Sequence, residues 1–271
     1  MKKEDYLNKL KTEIKLKGHS QHTLRAYSRF LERFLHRANP KTMTLDDVKS
    51  RIANLTDTYT TRSLSQAMSS VKFFFAHIID RPEIYAKLKL PKKQKTLPVV
   101  LTKQEVKDLI KATKFQKTFL IINLLYGCGF RVSEVVNLKP TDLDFSENSG
   151  WVREGKGKKD RLFKIPEKIS TELKEYIESQ PNNKYLFSES EPLSSRNIQY
   201  LIDRATKKAQ LKKKVTPHTL RHSFATHLYE SGEDLLVIQR LLGHENLETT
   251  KIYTHVSQER IKRVRSPLDS L

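Results

Sequence analysis

Arg131 follows a glycine-rich break in Tyr126-Gly127-Cys128-Gly129-Phe130-Arg131-Val132-Ser133-Glu134. At such a break a guanidinium can leave the helix and face a ligand, and its planar donors bind two phosphate oxygens at once. The same spacing also allows an ordinary ion pair between Arg131 and Glu134, three residues apart on one helix. Lys156 lies between glycines in Gly155-Lys156-Gly157-Lys158-Lys159-Asp160-Arg161. A lysine held there can serve as a charge or as a proton donor, or it can belong to one more basic turn; the spacing is not that of a GxxxxGK[ST] nucleotide loop. Thr216-Pro217-His218-Thr219-Leu220-Arg221-His222 reads as a helix start, with Thr at the N-cap and Pro at the first helical position. His218 and Arg221 then share the first turn, where free N–H groups and the macrodipole already favour an anion. His218 and His222 also have the i, i+4 spacing of zinc ligands, without the Glu of a HExxH hydrolase. His222 and His227 fit better as hydrogen-bonded residues of a packed helix, and Cys128 as a small buried apolar residue. Gly243 is suited to end a helix and to leave His244 just past it. Tyr253 follows in Lys251-Ile252-Tyr253-Thr254-His255. It is either a core tyrosine or a nucleophile that forms a phosphotyrosyl ester, given cations to stabilise a pentavalent transition state. These segments bring two Arg, one Lys, two His and one Tyr, with no acidic cluster of the kind that holds catalytic magnesium. Metal-free and cofactor-free phosphoryl chemistry is the consistent expectation.

Such residues need helices to hold them, and helical periodicity dominates the chain. Ser20 is placed to cap a helix whose apolar positions are Leu24, Tyr27, Leu31, Phe34 and Leu35, spaced by three and four. Thr44 with Asp47 resembles a capping box, and another helix is expected from Leu64 through Phe74 to Ile78. A lysine-rich stretch with two prolines, Lys89 to Pro98, reads as an exposed linker. Thr102 and Glu105 form a second capping-box pattern, and Leu101 and Val106 flank it as a hydrophobic staple would. Further helices are expected over 119–126, 131–138, 167–177, 198–209, 217–229 and 235–242. Trp151–Arg153 and Arg161–Ile165 read as two short strands joined by a GKGKKD turn. The fold expected is mainly α, in two domains with one small antiparallel hairpin or sheet: residues 1–88 a helical bundle, 89–100 a basic linker and 101–271 the larger, chemistry-bearing domain.

Composition narrows the partner. The 271 residues carry 51 Lys+Arg against 31 Asp+Glu, a net charge of +20. Up to Lys95 there are 21 basic and 9 acidic residues, and beyond it 30 and 22, so the two parts carry +12 and +8. A surplus in both parts suits a polyanion such as DNA or RNA, although a lysine-rich surface can also serve solubility alone. A single cysteine excludes a disulfide framework within one chain and fits a reducing, cytoplasmic setting. No run of about 18 apolar residues is present, and MKKEDYLNKL lacks the apolar region of a secretory signal, so no membrane role is expected.

Taken in order and spacing, Arg131, Lys156, His218-x-x-Arg221, His244 and Tyr253 resemble the catalytic set of the tyrosine recombinases, or phage-type integrases. The strings YGCGFRVSEVVNL, GKGKKDR, HTLRHSFATHL, LLGH and IYTHV are most similar to the Xer branch. The resemblance covers about Leu101 to Val256, and residues 1–88 match the family's SAM-like core-binding domain in size and place. It implies a site-specific recombinase in which Tyr253 attacks the scissile phosphate and leaves a 3′-phosphotyrosyl enzyme. Arg131 and Arg221 would bind nonbridging oxygens, Lys156 would protonate the leaving 5′-oxygen, and His218 and His244 would assist proton transfer. It also implies a clamp around a double-stranded DNA recombination site and a tetramer on two sites, with a dimer or monomer off DNA left open. The tail from Ser257 would pack in trans on a neighbouring protomer, and a paralogue or accessory protein is left open. Chromosome-dimer resolution in the cytoplasm, at the nucleoid, is the expected role. An integrase of a mobile element, a type IB topoisomerase and a DNA-binding protein that does not cleave are the alternatives.

Overall fold

Serine and threonine hydroxyls start six of the α-helices described below, each accepting a hydrogen bond from the amide three residues on. A computed structural model of the chain describes residues 3–91, 98–153, 160–244 and 249–250. The chain divides into two units, Met1–Thr96 and Leu97–Leu271.

In the first unit, α1 (Lys3–Leu16), α2 (Gln21–Phe34), α3 (Leu45–Thr56), α4 (Thr61–Phe74) and the short α5 (Pro82–Tyr85) follow one another. Ser20 caps α2 by accepting from Thr23 N at 3.2 Å. Thr44 and Asp47 form the reciprocal box that starts α3, with amide-to-side-chain bonds of 3.1 and 2.8 Å. The helix expected to reach Ile78 is α-helical only to Phe74; Phe75–Ile79 is a π-helical turn, ended by Asp80 at φ 57°. The core gathers Tyr6, Leu10 and Ile14 of α1, Phe30, Leu31 and Phe34 of α2, Val48 and Ile52 of α3, and Val71 and Phe74 of α4. Tyr6 meets Phe74 edge-on at 5.6 Å, and Phe34 meets Phe75 at 6.4 Å, the offset geometry that aromatic quadrupoles favour.

The second unit holds α6 (Lys103–Lys111), α7 (Gln116–Gly127), α8 (Val132–Asn137), α9 (Glu167–Glu178), α10 (Ser195–Lys208), α11 (Pro217–Ser231) and α12 (Leu235–Leu242). Thr102 and Glu105 close the box that starts α6, and Leu101 and Val106 both enter the core. Helix α7 is apolar almost all round: Leu120, Ile121, Ile122, Leu124 and Leu125 are all buried, as a central helix requires. An antiparallel sheet in the order β1 (Leu143–Asp144), β2 (Ser149–Val152), β3 (Arg161–Lys164) covers one side, one strand more than the expected pair. A two-residue strand has too little sequence to show an alternation, which is why β1 escapes pattern reading. The fold is mainly α with one small antiparallel sheet, as expected. Most of the linker lysines, residues 155–159 of the GKGKKD turn with Lys156, Tyr253 and the tail from Ser257 lie outside the described residues. Among those described, no helix is long and apolar enough to cross a membrane.

Candidate active site

Gly127-Cys128-Gly129-Phe130 ends α7 and turns the chain toward α8. Gly129 takes φ +62°, and a β-carbon there would lie 2.4 Å from the Phe224 ring of α11, so only glycine fits both the backbone and the gap. Phe130 is wholly buried against Phe163, their rings 4.6 Å apart and nearly perpendicular. Arg131 is thereby placed at the N-cap of α8.

From that position Arg131 engages Glu134. The Arg131 amide donates to Glu134 Oε2 and its Nη1 to Oε1, both at 2.7 Å, while Nη2 donates to the carbonyl of Gly243 at 2.9 Å. The i, i+3 ion pair open from the sequence thus exists, yet it is not a solvated surface pair, because the Glu134 side chain is only 4% exposed. Arg161 of β3 donates Nη2 to Glu134 Oε2 at 2.6 Å, and Arg221 Nη1 stands 3.7 Å from the same oxygen. Burial alone would raise the Glu134 carboxyl, but Arg161, the Arg131 amide, Arg221 and Arg131 together hold it below the usual carboxylate range. One buried carboxylate therefore ties together three guanidinium groups from three different elements.

Thr216 accepts from Thr219 N at 3.1 Å and Pro217 opens α11, so the expected first turn forms. Arg221 is buried, and donates Nη1 to Gly129 O at 2.6 Å and Nη2 to Leu242 O at 2.5 Å. His218 is exposed on the same turn, with its ring 6.4 Å from that of His222. Gly243 ends α12 in the left-handed conformation at φ 61°, and His244 N closes the cap on Gln239 O at 3.1 Å. Thr250 Oγ1 lies 2.9 Å from His244 Nδ1. Burial, then Arg221 and Arg131, push the His244 imidazole down to about 3, and burial with His218 and Arg221 pushes His222 down to about 4. Both rings are neutral near pH 7, so His244 acts there as a hydrogen-bonding group rather than a cation.

Arg131, Arg221 and His244 are brought together, while His218 is exposed on the first turn of α11 beside His222. Lys156 and Tyr253 lie outside the described residues. His227 is a packing residue, with its Nδ1 2.9 Å from Tyr126 Oη, and Cys128 is buried with its thiol pushed up to about 12. Beside the arginines runs a groove of about 930 Å³ between the sheet and α12, walled by Trp151, Leu162, Val237 and Leu241 and reaching Arg131 and His244. Among the described residues, no three His, Cys, Asp or Glu side chains gather as metal ligands would. Two members of the cluster have no role in the sequence reading: Glu134, there only an ion-pair partner, and Arg161. The signal for Arg161 is its strand register. In Arg161-Leu162-Phe163-Lys164 alternate residues are buried, so Arg161 shares the inner face with Phe163 while Leu162 is turned out.

Two family models match the chain: the phage integrase family over residues 99–260, and the N-terminal SAM-like domain of phage integrases over residues 6–84. The chain is 39% identical to tyrosine recombinase XerA of Thermococcus kodakarensis, across 96% of this chain and 94% of that protein. It is 40% identical to tyrosine recombinase XerA of Pyrococcus furiosus, across 96% and 92%. Its fold is similar to a crystal structure of XerA recombinase at 32% identity and a TM-score of 0.58, covering 98% of this chain and 100% of that one. It is also similar to XerH site-specific recombinase in a post-cleavage complex with difH substrate, at a TM-score of 0.76 and 22% identity, covering 91% of this chain and 80% of that one.

Proposed function

Since the chain belongs to the phage integrase family, the tyrosine recombinases, and is a site-specific recombinase that cleaves and rejoins DNA, we propose that Tyr253 is its nucleophile and that Arg131, Lys156, His218, Arg221 and His244 serve it. The observation that carries this assignment is the convergence of Arg131 and Arg221 on one buried carboxylate with His244 beside them. In the reaction the Tyr253 hydroxyl attacks the scissile phosphorus of duplex DNA. The phenolic proton passes to His218 as the O–P bond forms, the bond to the 5′-oxygen breaks, and that oxygen takes a proton from Lys156. Arg131 and Arg221 bind the two nonbridging oxygens and oppose the charge that grows in the pentavalent state. Their carbonyl and carboxylate partners fix both forks before substrate arrives, which lowers the reorganisation that the step requires. Thr250 can donate to His244 Nδ1, leaving the imidazole proton on Nε2 to hydrogen-bond a phosphate oxygen. The ester conserves the bond energy, so a 5′-hydroxyl from another strand rejoins without ATP.

Two recombination sites held by a tetramer, with each tail from Ser257 packed on a neighbour, complete the proposal. The chromosome is its substrate, in resolution of dimers in the cytoplasm; relatives at 39–40% identity named as Xer recombinases support that role over integration of a mobile element. The target site is recovered first, by selecting genomic fragments that the protein binds. A single chromosomal locus is expected; scattered element ends would favour an integrase. A nicked duplex built on that site then traps a denaturant-resistant protein–DNA adduct in EDTA, and Tyr253→Phe abolishes it. An adduct that survives the substitution, or that needs Mg²⁺, overturns the mechanism.

A further inference from the structure

Of the three arginines on Glu134, Arg161 is the one that the proposed reaction leaves without a task. Its residue is 9% exposed, and its Nη2 donates to Glu134 Oε2 at 2.6 Å. Its Nε and Nη1 are sealed from solvent and make no hydrogen bond among the described residues. The Phe130 ring centre lies 5.5 Å from the guanidinium carbon, and Gly243 presses on the stem so closely that an added β-carbon would fall 2.9 Å from Arg161 Cδ and 3.3 Å from Nε. The one hydrogen bond that Arg161 makes among the described residues is to Glu134, so its influence on the site passes through that carboxylate.

Folding does not explain it. A desolvated guanidinium with unsatisfied N–H groups is costly, and apolar residues of similar volume often replace buried ion pairs without loss of stability. Glu134 would keep Arg131 and Arg221 as partners after such a replacement. The charge balance points the same way. Three guanidinium groups and one carboxylate give the cluster a net charge of +2, where Arg131, Arg221 and Glu134 alone would give +1.

Resting on the active-site assignment above, we propose that Arg161 is a positioning residue for DNA cleavage: by holding Glu134 it sets Arg131 and Arg221 toward the scissile phosphate and leaves their charge free to act on it. The role belongs to the pentavalent state rather than to DNA affinity, because Arg161 acts through Glu134.

The test uses the full chain, the nicked duplex of the recovered site, and the same duplex with a methylphosphonate at the scissile position. The methyl group removes the phosphate charge that Arg131 and Arg221 neutralise. Arg161→Met is expected to melt at or above the wild-type temperature, to bind the phosphate duplex within about twofold of wild type, and to form adduct about 10- to 100-fold more slowly, the range seen when an outer-layer orienting group is lost. On the methylphosphonate the gap between variant and wild type should shrink severalfold. A lowered melting temperature would make Arg161 a folding residue, and an equal gap on both substrates would make its effect independent of phosphate charge; either result overturns the proposal, as does wild-type speed in Arg161→Met. Absence of adduct from the wild-type chain would instead count against the assignment of Tyr253, so the two failures are distinct.

Discussion

His222 and His244 stand beside arginines, and their imidazoles are pushed down to about 4 and about 3. In the unfolded chain both would titrate near 6.5. Between those values the unfolded state binds more protons than the folded one, so stability is complete above about pH 6.5 and falls as the pH is lowered. Glu134 has the same sign, since its depressed carboxyl also loses stability as pH falls, but only below the ordinary carboxylate range. The interval from pH 6.5 to 4.5 therefore isolates the histidines. Urea unfolding across it should show a loss of about 2 kcal/mol, after discounting for the partial exposure of both rings, and His222→Gln should flatten the slope. A stability independent of pH there would mean that the rings are not held neutral. Much of this site was legible in sequence, because Arg131, Arg221 and His244 each sit at a cap or a turn that local residues announce. The weights within it were not. Glu134 and Arg161 acquire their meaning only from burial, which depends on where β3 lies against α8, and no spacing along the chain encodes that.

The segment Gly127-Cys128-Gly129-Phe130 shows what the elements contribute to this cluster. It stops α7, seats Phe130 in the core and offers the Gly129 carbonyl to Arg221, so one short turn holds two arginines from different helices. Gly129→Ala would impose a left-handed conformation on alanine and drive its β-carbon to 2.4 Å from Phe224. Strain and overpacking together should cost about 2–4 kcal/mol, read as a lower melting temperature. Adding Phe224→Ala should relieve the clash but not the strain, so the double variant should recover part of the loss relative to Phe224→Ala alone. If Gly129→Ala melts like the wild type, the turn does not constrain the site. The same contrast explains which elements could be read ahead of the structure. The capping boxes at Thr44 and Thr102 and the cap at Gly243 are contacts within a few residues, and they form where their residues stand. The π-helical turn after α4 and the two-residue β1 depend on partners elsewhere, so periodicity continued through the first and passed over the second.

At the scale of the whole chain, the net charge of +20 far exceeds what the phosphate site uses. Of the three cluster arginines, Arg161 and Arg221 are buried and Arg131 is half-buried, and one carboxylate offsets part of their charge; most of the surplus therefore lies elsewhere. Charge of that kind governs affinity through counterion release, at about 0.9 in the slope of log K against log salt for each phosphate neutralised on duplex DNA. Lys92, Lys93 and Lys95 lie in the basic stretch from Lys89 to Pro98 that the sequence reads as an exposed linker. Replacing all three by Gln should lower the slope by up to about 2.7, weaken cognate and random duplexes by the same factor, and leave the rate of adduct formation at saturating protein unchanged. An unchanged slope would remove these lysines from the DNA contact. A larger loss on the cognate site than on random duplex would mean that they read sequence, and the separation between a delocalised charge for affinity and a buried arginine cluster for chemistry would then fail.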